Sequence, residues 1–178
     1  MANLETDRLK LSPVRPEDWE AYHTVLSAPE ISEYTDLPRK PSEKRTKALV
    51  NWMVRAAQKS KGGGWMVRDS RTGAVLGCIR LNSISRQASF AVVGYEYDKR
   101  YWGKGYATEA LIAVTNHCHK NMRLYRLEAW TLAGNAASDR VLQKAGFRLE
   151  GTQRQKMILR GQRFDQRLFG RLAGDCLA

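Results

Sequence analysis

Leu9 and Leu11 alternate with Arg8, Lys10 and Ser12, the period of a half-buried strand, which Pro13 and Pro16 close. The period then lengthens. Pro16-Glu17-Asp18 opens a helix, with proline at the first position and acids where the helix dipole favours them. Trp19, Tyr22, Val25 and Leu26 follow at helical spacing. Pro29, Pro38 and Pro41 mark residues 28–41 as a loop. Ser42-Glu43-Lys44-Arg45 starts a second helix with Ala48, Leu49, Trp52, Met53 and Ala56 on one face, and Gly62-Gly63-Gly64 ends it.

Alternation returns over residues 65–68, 75–81 and 89–97 and predicts three consecutive antiparallel strands. A glycine-rich turn leads into a helix over 105–120, residues 124–131 read as a strand, and Asn135 opens a short helix over 136–145. Gly146-Phe147 starts a further strand, and residues 156–159 and 164–172 flank Arg160-Gly161-Gln162 as a hairpin. The strand–helix–strand crossover requires a parallel pair and the hairpins require antiparallel ones. The expected class is therefore α/β in the α+β sense, around one mixed sheet.

Composition narrows the partners. A chain of 178 residues with 43% hydrophobic content suffices for one folded domain, residues 1–178. Its 30 Lys and Arg against 18 Asp and Glu give a net charge of +12, which attracts polyanions: coenzyme A, nucleic acid or an acidic membrane surface. A solvated basic exterior with no specific partner fits the charge equally well. Cys78, Cys118 and Cys176 are far apart and lack CxxC spacing, so they read as small buried residues in a reducing cytosol, with no disulfide framework and no metal. The first residues are charged and lack an apolar signal core, and no run approaches the roughly eighteen apolar residues of a membrane span. A cytoplasmic protein without a membrane partner is expected.

The chemistry concentrates after the strand that ends at Tyr97. Arg100, Gly103 and Gly105 precede an apolar helix carrying Ala107, Ala110, Leu111 and Val114. Such a turn leaves backbone N–H groups unpaired at the positive end of a helix, an anion site suited to a pyrophosphate. Glycine lets the backbone approach the ligand, and Arg100 and Lys104 add charge at the rim. The same glycines would also serve a plain strand-to-helix turn. A dinucleotide fold fits less well, because three hairpin-linked strands precede the turn.

Arg100-x-x-Gly103-x-Gly105-x-Ala107 resembles the acetyl-CoA signature Q/R-x-x-G-x-G/A of the GNAT superfamily of N-acetyltransferases. Glu5-Thr6-Asp7-Arg8-Leu9-x-Leu11 with Arg15-Pro16-Glu17-Asp18 is similar to the opening of its RimJ/RimL-type branch, the ribosomal-protein N-terminal acetyltransferases and their relatives. The run from Asn135 through Ser138 to Lys144-Ala145-Gly146-Phe147-Arg148-Leu149-Glu150-Gly151 resembles that branch's N-x-x-S…K-x-G-F-x-x-E-G segment. The likeness covers residues 5–172.

The resemblance implies a GNAT fold: a mostly antiparallel sheet of six to seven strands, splayed at a central parallel pair, flanked by about four helices. It implies acetyl-CoA as co-substrate and acetyl transfer to a primary amine by direct attack. Tyr95 and Tyr97 would lie beside the pantetheine arm, and Arg100, Trp102, Gly103, Lys104, Gly105, Tyr106 and Ala107 would hold the pyrophosphate. Asn135 would contact the cofactor, a role compatible with helix capping. Ser138 would protonate or hydrogen-bond the departing thiolate, whose thiol pKa is about 8.5 by analogy with cysteine. Phe147 reads as core.

Glu96 is the first candidate for the base that takes the amine proton, although alternation alone leaves open which side of its strand faces the cleft. Certain ribosomal-protein acetylases carry a glutamate on the strand after G-F-x-x-E-G; here that stretch is Gln155-Lys156-Met157-Ile158, and Met157 takes no proton. The acceptor region is expected in the N-terminal helices and residues 28–41, where Trp19, Tyr22, His23, Glu33, Tyr34, Asp36 and Trp52 could line it. A protein N-terminal α-amine, with the basic surface near ribosomal RNA, is the leading acceptor. A small antibiotic or polyamine amine is the alternative, and needs Glu30, Glu33 and Asp36 to form an acidic cluster. A non-catalytic acyl-CoA or RNA-binding module is a third reading, and a homodimer a further expectation.

Overall fold

The computed structural model describes residues 1–35 and 37–175; Asp36 and Cys176 lie outside them. Strands β1 (Leu4–Glu5), β2 (Leu9–Pro13), β3 (Gly63–Asp69), β4 (Val75–Ser85), β5 (Phe90–Tyr97), β6 (Arg126–Leu132), β7 (Arg148–Leu159) and β8 (Gln162–Leu172) form one sheet in the order β1-β2-β3-β4-β5-β6-β8-β7. Its neighbours are antiparallel except β5 and β6, the parallel pair that the crossover requires. The helices are α1 (Trp19–Leu26), α2 (Pro29–Glu33), α3 (Glu43–Gln58), α4 (Tyr106–Lys120) and α5 (Ala136–Lys144). Among the described residues no helix is long and apolar enough to cross a membrane.

Helices cover both faces of the sheet, and this explains the continuous apolar run at Trp65, Met66 and Val67. Trp65 and Val67 pack with Ile79, Leu111, Val114 and Phe147 in the core beneath α4 and α5. Met66 and Cys78 turn the other way, against Tyr22, Leu26, Val50 and Met53 of α1 and α3. Arg171 of β8 is buried and ties the sheet to both neighbouring helices, donating to Thr115 Oγ1 (2.6 Å) and to the Ala145 carbonyl (2.7 Å).

Three expectations need correction. The described residues form eight strands where six to seven were expected, because β1 has two residues and is too short to carry a period. The described residues form five α-helices where about four were expected: the segment read as a loop contains α2, whose Pro29 occupies a first-turn position, where proline is well suited to start a helix. Finally, β7 is continuous from Arg148, with register shifts beside Gly151 and between Gln153 and Met157. It lies at the sheet edge and is exposed along most of its length, so no buried alternation marks it.

Candidate active site

The parallel pair is joined only at its beginning. Phe90, Ala91 and Val92 pair with Arg126, Leu127 and Glu128, and beyond Glu128 the strands diverge. The inner edges of residues 93–97 and 129–132 thus face a gap instead of each other, leaving backbone donors and acceptors for a ligand. The gap widens into a cavity of about 420 Å³ lined by both strands, the turn before α4 and the start of α5. A cavity of this size falls in the ordinary range for small-molecule sites.

At one end stands the turn. Gly103 and Gly105 have φ of +73° and +81°, the left-handed region that side-chain-bearing residues avoid. The first backbone hydrogen bond of α4 runs from Glu109 N–H to the Gly105 carbonyl. Among the described residues, the N–H groups of residues 103–108 have no acceptor, so the cluster is free for an anion at a helix start. Trp102 Nε1 donates to the Tyr97 carbonyl (2.7 Å) and fastens the turn to β5.

The Arg100 guanidinium folds back onto Asp98 (2.6 Å), and the Arg100 amide also donates to Asp98 (2.9 Å). Those bonds hold the Asp98 carboxyl below its usual range despite the opposing effect of partial burial. Arg8, far away in sequence, braces the other side: its Nη1 donates to the Lys104 carbonyl (3.1 Å), its Nε to Glu109 Oε2 (2.6 Å), and its guanidinium covers the Tyr106 ring at 4.5 Å. Thr6 Oγ1 donates to Glu109 Oε1 (2.5 Å) and accepts the Leu9 amide (3.1 Å).

On the opposite wall, Asn135 Oδ1 accepts the Ser138 amide (3.1 Å) and caps α5. Asn135 Nδ2 and Ser138 Oγ, both at the cavity, have no partner among the described residues. Tyr95 crosses the gap, donating its hydroxyl to the Ser138 carbonyl (3.3 Å). Burial pushes that phenol well up, so it remains a donor.

Glu96 and Arg80 lie diagonally on one face of β5 and β4, since Glu96 opposes Cys78 and Arg80 opposes Gly94. Glu96 Oε2 accepts from Arg80 Nη1 and from the Tyr22 hydroxyl (2.8 Å); Oε1 has no partner among the described residues. Burial opposes the charge on Arg80, but Glu96 more than offsets it and raises the guanidinium's pKa. Burial first, and Glu96 second, hold Tyr22 protonated. Glu30, which also lines the cavity, is engaged by Lys99 at 2.6 Å, which lowers its pKa.

The structure therefore brings Tyr95, Glu96, Tyr97, Trp102, Gly103, Gly105, Tyr106, Ala107, Asn135 and Ser138 to one cavity. Arg100 and Lys104 stand on the turn with side chains outside the cavity wall. Met157 pairs with Phe164 on the β7–β8 hairpin and does not line the cavity. Of the expected acceptor residues, Tyr34 reaches this cavity and Trp52 a second one, whereas His23 is bonded to Thr46 (2.9 Å) and Trp19 carries Lys47 on its ring (3.7 Å). Sequence reasoning missed Arg80, Thr6 and Glu109. Thr6 and Arg8 did stand in the quoted opening motif, but their contacts with Glu109 span more than a hundred positions.

The open strand edges, the free amides and the cavity between them fit an acyl-coenzyme A. The comparisons agree. Residues 8–148 match the family model described as acetyltransferase (GNAT) domain. The chain is 29% identical over 166 residues, 93% of this chain and 94% of the relative, to the uncharacterized N-acetyltransferase YoaA of Bacillus subtilis. It is 28% identical over 131 residues, 74% and 72% of the two chains, to the ribosomal-protein-serine acetyltransferase of Escherichia coli. Its fold matches RimL, a ribosomal alpha-N-protein acetyltransferase solved with coenzyme A, with a TM-score of 0.90 over 96% of this chain and 98% of that one, at 20% identity. The chain belongs to the GNAT family of acyl-CoA-dependent N-acetyltransferases.

Proposed function

We propose that this enzyme acetylates the N-terminal α-amine of a protein or peptide. The observation that carries the reading is the charge state of the cleft: among the described residues both carboxylates that line it, Glu30 and Glu96, are ion-paired. A polyamine or aminoglycoside needs uncompensated negative charge, which neither Glu30 nor Glu96 offers. An α-amine, of pKa about 7.7–8.0, sheds its proton far more easily than a lysine amine near 10.4, so a weak, partly engaged base suffices. The likeness to the E. coli ribosomal-protein-serine acetyltransferase and to RimL supports the same acceptor class, and a basic exterior tolerates ribosomal RNA nearby.

The residues divide the work by position. The amides of residues 103–108 receive the pyrophosphate, with Gly103 and Gly105 setting their direction. The inner edge of residues 93–97 orients the arm, and Asn135 Nδ2 adds a donor. When bound, acetyl-CoA supplies an activated acyl carbon for the amine nitrogen. Glu96 Oε1 takes the amine proton, directly or through water, while Arg80 and Tyr22 hold the carboxylate still. Ser138 Oγ holds a proton at the cleft for the sulfur, and Tyr95 fixes the first turn of α5 that carries it.

The test is thiol release with acetyl-CoA and a panel of N-terminal peptides, polyamines and aminoglycosides. Turnover with peptides is expected; turnover confined to small polycations would overturn the acceptor assignment.

A further inference from the structure

A second cavity, of about 310 Å³, adjoins the first and shares Arg80 and Asn82 with it. Leu26, Leu49 and Trp52 make its apolar wall, and Arg45 and Thr46 its polar side. No carboxylate lines it among the described residues. The partition between the cavities is built with care. The register shift after Leu81 makes Asn82 the extra residue of a β-bulge, a device that re-aims side chains beside active sites.

Asn82 Oδ1 accepts Arg80 Nε (2.8 Å), while Arg80 Nη1 serves Glu96 and Tyr22. The guanidinium plane is thereby locked, and Nη2 has no partner among the described residues. Opposite it stands Gly94, where an added Cβ would press on Asn82 Nδ2 at 3.0 Å, the side chain that holds Arg80. Nη2 is thus a fixed, charge-assisted donor for one carboxylate oxygen. Arg45 is a second cation on the same cavity. It sits in the first turn of α3, where the helix dipole disfavours positive charge, and it has no carboxylate partner among the described residues. Its placement does not serve the helix.

We infer that this cavity is an acceptor subsite that selects an amine bearing a carboxylate close to the reacting nitrogen: a protein N-terminus with an acidic residue directly after the first. The amine stands at Glu96, and the following side chain passes Arg80 into the second cavity, stem against Trp52 and Leu49, carboxylate between Arg80 and Arg45. The inference rests on the N-terminal acetylation reading and narrows it.

The test compares kcat/KM for peptides differing only at the second residue (Glu, Gln or Lys), with the free amino acid as a further arm. Glu should exceed Gln by about tenfold and Lys by more. Arg45→Glu removes a cation that opposes the helix dipole, so the variant should fold, as a thermal melt will verify; its Glu-to-Lys preference should collapse or invert. Equal kcat/KM for the three peptides overturns the subsite and leaves N-terminal acetylation standing. Turnover of the free amino acid with none for any peptide overturns N-terminal acetylation, and the subsite with it.

Discussion

Arg8 and Glu109 are separated by 101 positions, yet Arg8 Nε donates to Glu109 Oε2 at 2.6 Å, and the same arginine holds the Lys104 carbonyl. The start of the chain thus grips the first turn of α4, immediately beside the free amides. Replacing Arg8 with Ala should lower acetyl-CoA affinity several-fold in a calorimetric titration while costing only about 1 kcal/mol in stability, since the arginine is partly exposed. Unchanged affinity would remove the brace from the binding site.

Glu109 also makes a pH prediction. Partial burial pushes its carboxyl up, but hydrogen bonds from Thr6 and Arg8 outweigh burial and hold it below the usual range. A depressed folded-state pKa stabilises the fold above the unfolded value, about 4.3, and the contribution fades as pH falls through the lower folded value. The stability gap between wild type and Glu109→Gln in urea melts should therefore be full at neutral pH and shrink below pH of about 4. A gap that grows with acidity would refute the assignment.

The turn offers the sharpest structural variant. Gly105→Val places a β-branched residue at φ +81°, a conformation it resists, in a position open to solvent. Acetyl-CoA binding should be lost while the circular dichroism spectrum remains that of the folded chain. Retained affinity with normal folding would contradict the pyrophosphate placement.

Glu96 separates catalysis from stability. Glu96→Gln should lower kcat at least about tenfold with little change in acetyl-CoA affinity. Glu96→Ala should cost about 1–3 kcal/mol, because it leaves the partly buried Arg80 without its acid, and adding Arg80→Leu should restore much of that loss. A normal kcat in Glu96→Gln would discard it as the base.

The order of the elements was legible because both periods are strong: strand alternation in residues 75–97 and helical spacing in 105–120. The glycine turn was legible too, since Gly103 and Gly105 both take positive φ. The electrostatic partners were not. Arg100 read as a cofactor ligand because its nearest acid, Asp98, lies two residues away on a turn whose curvature a sequence does not display. Arg80 was invisible for another reason: a strand arginine announces itself as exposed, and only the diagonal register with Glu96 and the bulge at Asn82 bring it inside. The edge strand β7 hid its continuity from Arg148 to Leu159 by exposing both faces.

The central claim is acetyl transfer from acetyl-CoA to an N-terminal amine at the splayed strands. Its most direct test incubates the enzyme with acetyl-CoA and a serine-initiated peptide containing an internal lysine, then maps the product by fragmentation mass spectrometry. Acetyl on the α-amine, with release of one thiol per peptide, is the predicted result. Acetyl on the lysine side chain alone, or no product while acetyl-CoA binds, would contradict it.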